Sequence, residues 1–265
     1  MPVARGAGLP AAGRRCRLTV AYDGTRYSGW QVQPQHATVQ QTIEEALASI
    51  TSQPCKLHGS GRTDQGVHAL GQVAHVDLRT GLSDRALFKA LNARLPTDIR
   101  VCGFRRVRPD FHARRDAVSK EYRYFVWNDE VMPPHRRLYA LHIRRPLDLD
   151  RMRRAGAALV GTHDFVSFMA NPSRDIESSV RTIQECRIRR RGREICFGFK
   201  GDGFLYKQVR GMTGLLLRIG AGQEPENLVR RLLEERLART ARVPSVPPNG
   251  LFLWRVSYRR RASDD

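Results

Sequence analysis

The sequence predicts an α+β protein built as two βαββαβ halves in series. Three observations lead there. Strand-like and helix-like segments follow one another in the same order twice, the order of a ferredoxin-like unit. Turn residues punctuate the borders between them. The 265 residues are enough for two such units with cores of their own. The halves are placed at residues 16–108 and 109–265, behind a basic tail at 1–15 that is expected to be disordered. The sheets should be mainly antiparallel. A central basic cleft should open where they meet, a common place for a site.

In the first half, residues 16–22 alternate Leu18 and Val20 against Arg17 and Thr19, as a half-buried strand does. Thr38-Val39-Gln40-Gln41 has the form of a capping box. It opens a helix to Ile50 with Ile43, Ala46, Leu47 and Ile50 on its apolar face. Residues 55–58 read as a short strand and 72–78 as a longer one. Ser83 caps a helix through Ala86, Leu87, Ala90 and Leu91, and residues 99–104 close the set.

In the second half, residues 119–128 alternate Tyr122, Tyr124 and Val126 against Arg123, Phe125 and Trp127. A helix covers 149–160. Strands at 180–190 and 194–200 join through a tight turn at Gly192. A helix over 206–219 turns Val209, Met212, Leu216 and Ile219 inward. Pro225 begins another helix to about Leu237, and 251–258 form the last strand.

Charge bounds the partner. Lys and Arg number 46 against 26 Asp and Glu, a net charge of +20. So large an excess implies a polyanion, most often nucleic acid. The only lysines are Lys56, Lys89, Lys120, Lys200 and Lys207. The arginine forks that dominate match phosphate oxygens and stack on bases, which suits RNA. Both halves are basic, so the partner should touch both.

No apolar run approaches the roughly 20 residues needed to span a bilayer, so no membrane helix is expected. The tail reads as an ordinary basic segment, with an organellar presequence as the alternative. Cys16, Cys55, Cys102, Cys186 and Cys196 are scattered and include no C-x-x-C pair. That usage implies a reducing compartment without a disulfide framework or a zinc site. The eight histidines lack metal-ligand spacing, so no metal is expected.

Three clusters could carry chemistry. In Gly59-Ser60-Gly61-Arg62-Thr63-Asp64-Gln65-Gly66-Val67-His68-Ala69, one carboxylate sits on a glycine-rich loop two residues after an arginine. A carboxylate beside a cation suits a covalent nucleophile; an ordinary Asx-turn has the same look. The second cluster is Phe111-His112-Ala113-Arg114-Arg115 followed by Lys120-Glu121-Tyr122-Arg123-Tyr124. Its cations and aromatics suit phosphate contact and base stacking, though tyrosines also fit strands unaided. In the third, residues 201–210, Arg210 would be costly as an inward charge unless paired. Asp64 is the candidate partner; solvent or phosphate is the alternative.

These residues resemble the tRNA pseudouridine synthase A family, from about Cys16 to Tyr258. The matching motifs, in order, begin with Tyr22-Asp23-Gly24-Thr25-Arg26-Tyr27-Ser28-Gly29-Trp30-Gln31 and Gly61-Arg62-Thr63-Asp64-Gln65-Gly66-Val67-His68-Ala69. Phe111-His112-Ala113-Arg114 with Tyr122-Arg123-Tyr124 follow, then Gly203-Phe204-Leu205 with Val209-Arg210, then Pro248-Asn249-Gly250-Leu251-Phe252-Leu253. Gln65 and Gln208 are less usual at their positions.

The resemblance implies the pseudouridine synthase fold, with Asp64 as nucleophile and Arg62 holding the target nucleotide out of its stack. Tyr122 would stack on the uracil and Arg210 would pair with Asp64. It also implies a homodimer with two RNA clefts, no metal or cofactor, and tRNA uridines around positions 38 to 40 of the anticodon stem-loop as substrate; a cytoplasmic location is expected, with organellar import as the alternative. Phe111, His112, Ala113, Arg114 and Arg115, with the loop 171–175, are the candidates for tRNA contact. The competing expectations are a non-catalytic RNA-binding module or tRNA chaperone, and a synthase acting on another RNA.

Overall fold

The computed structural model describes residues 13–170, 177–236 and 240–259. Most of the expected basic tail and the candidate contact loop 171–175 therefore lie outside the described residues. The first half runs β1 (Arg14–Tyr22), α1 (Val39–Thr51), β2 (His58–Gly59), β3 (His68–Leu78), α2 (Asp84–Arg94) and β4 (Ile99–Arg106). The second runs β5 (Ala117–Asn128), β6 (Leu141–Ile143), α3 (Leu149–Ala157), β7 (Gly161–Asp164), β8 (Val180–Arg191), β9 (Glu194–Gly201), α4 (Gln208–Gly220), α5 (Leu228–Glu235) and β10 (Leu251–Tyr258).

The strands form one continuous sheet rather than two neighbouring ones. Its order is β4-β1-β3-β10-β5-β9-β8-β7, with β2 on β3 and β6 on β5. The seam is β10, the last strand of the chain. It runs antiparallel to β5 over its length but meets β3 in parallel only at Phe252↔His68 and Leu253↔Ala69. Beyond those pairs the strands are held close by the absence of a side chain. A Cβ on Gly71 would come within 2.6 Å of the Trp254 carbonyl oxygen.

Local chemistry explains where elements differ from expectation. β1 starts at Arg14, inside the expected tail, because Arg14 donates to the carbonyl of Thr80 and Arg15 forks onto Asp77. At α1 only half of the capping box forms. Thr38 accepts from the Gln41 N–H, but the Gln41 side chain turns forward to Glu45 instead of back to the cap. The short strand expected at 55–58 shrinks to His58–Gly59. α3 is capped by Asp148, whose carboxylate accepts from the N–H groups of Asp150 and Arg151. α4 begins two residues late, since Lys207 sits in the left-handed region at φ 56°. It is buried nearly all round rather than on one side, as Leu215 and Leu217 join Met212, Leu216 and Ile219 in the core. α4 packs on α3, which also touches α5 and β8. Alternate residues of β5 and β9 are buried, so the sheet has one core-facing side there.

The seam yields a test. Gly71→Ala should lower folding stability by about 1–3 kcal/mol through overpacking against β10. Urea unfolding would measure it, and an unchanged midpoint would mean that β3 and β10 can part without cost.

Candidate active site

The Asp64 loop leaves the sheet after β2 and re-enters it at β3, and its shape is set by neighbours rather than by its own propensity. Ser60 donates its hydroxyl to Gln72 Oε1 at 2.7 Å, and Gln72 Nε2 donates to the Gly61 carbonyl at 2.9 Å. Gln72 and Ser60 are fully buried, so these bonds form out of reach of water. The Tyr22 hydroxyl and Thr63 Oγ1 lie 2.7 Å apart. The Trp30 N–H donates to the Thr63 carbonyl at 3.1 Å. Gly29, at φ +89°, lies so close to that carbonyl that a Cβ would collide with it. The motif over 22–31 therefore acts as a brace, which fixes the backbone on both sides of Asp64.

The partner comes from the other half. Arg210, in the first turn of α4, donates Nη1 to Asp64 Oδ2 at 3.3 Å. Its Nε donates to the Val246 carbonyl at 2.7 Å, and its own carbonyl accepts from the Val246 N–H. The segment before the short turn at Pro248 thus holds Arg210 by backbone and side chain together. The Arg210 and Asp64 side chains are 12% and 24% exposed, so the pair is partly shielded yet open to a ligand.

Tyr122 lies on β5 beside this pair and is 8% exposed. Its ring meets Phe204 edge-on at 5.2 Å. Burial pushes its phenol far up, and Tyr22 and the Asp64 carboxylate push it further, so it is a neutral hydroxyl throughout the neutral range. Among the described residues it has no hydrogen-bond partner. Tyr124 is fully buried, with its hydroxyl on the Pro247 carbonyl at 2.9 Å. Arg62 is exposed and makes one long contact, Nε to Gln31 Oε1 at 3.3 Å. Asp64, Tyr122 and Arg210 come together, with Arg62 at the rim.

The segment 111–115 divides into supports and exposed groups. Phe111 and Ala113 are buried. The Ala113 N–H donates to His75 Nδ1 at 3.2 Å, and its carbonyl accepts from the Tyr258 hydroxyl at 2.7 Å. His112 Nδ1 accepts from the N–H groups of Arg114 and Arg115. His58, His75 and His112 form a packed set of rings, with centroids 4.9 Å and 4.8 Å apart for His58–His75 and His75–His112. Only Arg114 and Arg115 are exposed. Among the described residues, no group of three His, Cys, Asp or Glu side chains could hold a metal ion. No helix among them is long and apolar enough to cross a membrane.

Sequence reading missed the supports: Gln72, Tyr22 and Thr63, and the seat of Arg210 at Val246. Only the close run of glycines at 24, 29, 59, 61 and 66 hinted that backbones would crowd here.

A family model described as tRNA pseudouridine synthase matches residues 18–114 and 155–259. A tRNA pseudouridine synthase A from Limosilactobacillus reuteri (strain DSM 20016) is 46% identical over 249 residues, 92% of this chain and 96% of that protein. One from Methylacidiphilum infernorum (isolate V4) is 40% identical over 242 residues, 91% and 94% of the two chains. The crystal structure of the archaeal box H/ACA sRNP Nop10-Cbf5 complex aligns with 76% of this chain and 44% of that one, at 15% identity. The TM-score of that alignment is 0.35.

The histidine set predicts a pH effect. Burial, helped by Arg15, His58 and His112 and opposed by Asp77, pushes His75 down to about 4. The neutral ring is thus favoured in the folded state. Its contribution is full above pH 6.5 and is lost as the pH falls through about 4, on the order of 2–3 kcal/mol. Urea midpoints from pH 7 to pH 4 should fall more steeply in the wild type than in His75→Gln; parallel curves would count against the assignment.

Proposed function

The chain belongs to the tRNA pseudouridine synthase family, and from that membership we propose that Asp64 attacks a flipped-out uridine in the anticodon stem-loop, around positions 38 to 40. The protein is an enzyme that isomerises uridine to pseudouridine in tRNA. The observation that carries the assignment of Asp64 is its contact with Arg210 at 3.3 Å, beside Tyr122, on a loop braced from both sides.

The chemistry asks little beyond position and charge. The bond between C1′ and N1 breaks, the uracil turns, and C1′ bonds to C5. C5 loses a proton and N1 gains one, so atoms and electrons balance without an oxidant or reductant. Attack at C1′, attack at C6 and a base-assisted glycal route all need one carboxylate at the same place. Arg210 supplies the fixed positive partner that keeps the anion oriented. The base must first leave the helix, at a cost of a few kcal/mol, offset by stacking and phosphate contacts. Tyr122 offers an aromatic ring beside Asp64 for that stacking. Arg62, exposed and nearly free of protein contacts, reaches into the space the base vacates.

Recognition rests on shape and phosphates, because the edges of paired bases in A-form RNA are poorly accessible. Arg114 and Arg115 face solvent for this purpose, while Phe111, His112 and Ala113 hold their segment in place. A basic cleft around the seam at β10 would receive the stem. We assign the protein to the cytoplasm, as a homodimer; light scattering should give twice the monomer mass, and a monomer would refute that assignment.

Asp64→Asn removes the nucleophile and keeps the shape. It should abolish pseudouridine formation, read by carbodiimide treatment and primer extension on unmodified tRNA, while RNA affinity changes by less than about threefold. Surviving activity would remove Asp64 from the mechanism, and binding without isomerisation by the wild type would favour a passive RNA-binding module.

A further inference from the structure

Lys120 is a further charged side chain beside the Asp64 loop. It lies on β5 two residues before Tyr122, and Tyr122 lies two before Tyr124. Same-face residues of a strand repeat every 6.6 Å or so. Each member of this row meets the site at a different point. Tyr124 is close enough to Arg210 to feel its charge, and Tyr122 to feel Asp64. Lys120 meets Gly61: a Cβ built there would stand 3.0 Å from Nζ. The row on β5 therefore runs alongside the loop from Arg210 to Gly61.

Lys120 stands in a cationic corner. Arg114 and Arg181 both act on it electrostatically, and Asp202 is the acid that opposes them. Register explains the gathering. Lys120 pairs with Gly201 across β5 and β9, and Ile183 pairs with the same Gly201 across β9 and β8. Arg181 lies two residues back on β8, and its Nε would be 3.6 Å from a Cβ on Gly203. Arg114 arrives from the segment before β5. Asp202 is already engaged, since its Oδ1 accepts from the Thr182 N–H at 3.1 Å. Among the described residues Lys120 Nζ has no hydrogen bond and no ion pair. A half-buried ammonium with two guanidinium neighbours and no acceptor is an unfavourable arrangement unless an anion completes it.

We propose that Lys120, with Arg114 and Arg181 beside it, binds a backbone phosphate of the substrate RNA next to the target uridine. This deepens the functional reading above and rests on it. The base lies against Tyr122, and its flanking phosphate lies one strand repeat away, over the backbone of Gly61. Lys120 is a binding residue: it holds the flanking phosphate by charge, equally in the bound and reacting states, and takes no part in bond making.

The free protein holds Lys120 in a state that the RNA changes. Burial first, then Arg114 and Arg181, push its ammonium down to about 8, against the pull of Asp202. Below pH 8 the ammonium is charged and ready for phosphate; above it, the charge is lost. A bound phosphate favours the charged form, so RNA binding draws a proton onto Lys120.

The test measures the affinity of the full chain for an unmodified tRNA transcript as a function of pH and salt, with pseudouridine formation followed on the same samples. Lys120→Met keeps the stem and removes the charge; Lys120→Arg keeps a charge that does not titrate. Wild-type affinity should weaken several-fold from pH 7 to pH 9, and Lys120→Arg should stay flat. Lys120→Met should bind about tenfold more weakly at pH 7, with a salt slope smaller by about one phosphate contact. Its KM should rise while the rate at saturating RNA stays within a few-fold of wild type. Thermal melts check that both variants fold. Wild-type affinity in Lys120→Met, or identical pH profiles for wild type and Lys120→Arg, overturns the phosphate site. A wild-type protein that binds tRNA without forming pseudouridine overturns the functional reading instead, and leaves the binding comparison intact.

Discussion

Asp64 and Arg210 are 146 positions apart in the chain, and the rest of the molecule serves to bring them within 3.3 Å. A carboxylate and a guanidinium partly withdrawn from water each lose hydration, and their attraction repays this only with good geometry and further hydrogen bonds. Arg210 has them: Nε is on the Val246 carbonyl, and its own backbone is tied to Val246. Asp64 is held by its loop, through Thr63 on one side and the turn closed by the Val67 N–H on the other. Two rigid seats face each other. Neither would matter if the halves could slide, and β10, seated between β3 and β5, prevents that.

The crowded backbone contacts lie in two places, around the Asp64 loop and along the seam. At Gly24 and Gly29 the chain presses against Val67 and Thr63. At Gly71 it presses against Trp254, and at Gly250 against Phe125 and Tyr124. These contacts join the opening motif to the Asp64 loop and the seam strand to both neighbours. The glycines of the motifs are therefore largely structural, and the chemistry rests on few side chains. The site is rigid because backbone meets backbone, and a side chain displaced there would move the carboxylate itself.

Much of this was legible in the sequence, for identifiable reasons. The long strands 14–22 and 117–128 announce themselves by alternation, and Ser83 marks its helix by a cap that forms as expected. The loop of Asp64 stands out by its glycines, and Arg210 by the cost of an inward charge. Other features were hidden. β6 and β7, of three and four residues, are too short to show a period. The merging of the sheets depends on where the final strand inserts, and no local pattern encodes that. α4 reads as amphipathic but lies between elements on every side. Lys120 stands out in the sequence only as one cation of a cluster suited to phosphate, because the neighbours that set it apart, Gly61 and Arg181, come from distant segments. The supports Gln72 and Tyr22 look like ordinary strand residues until the loop folds over them.

In the proposed reaction Arg210 acts through Asp64 and not through the binding of RNA. Single-turnover isomerisation of unmodified tRNA by Arg210→Gln, with Arg210→Lys alongside, separates these two roles. Arg210→Gln should react at least about 100-fold more slowly than wild type at saturating RNA. Arg210→Lys should recover part of the rate, and both variants should keep an RNA affinity near that of wild type. A wild-type rate in Arg210→Gln, or a loss confined to RNA affinity, would contradict action through Asp64.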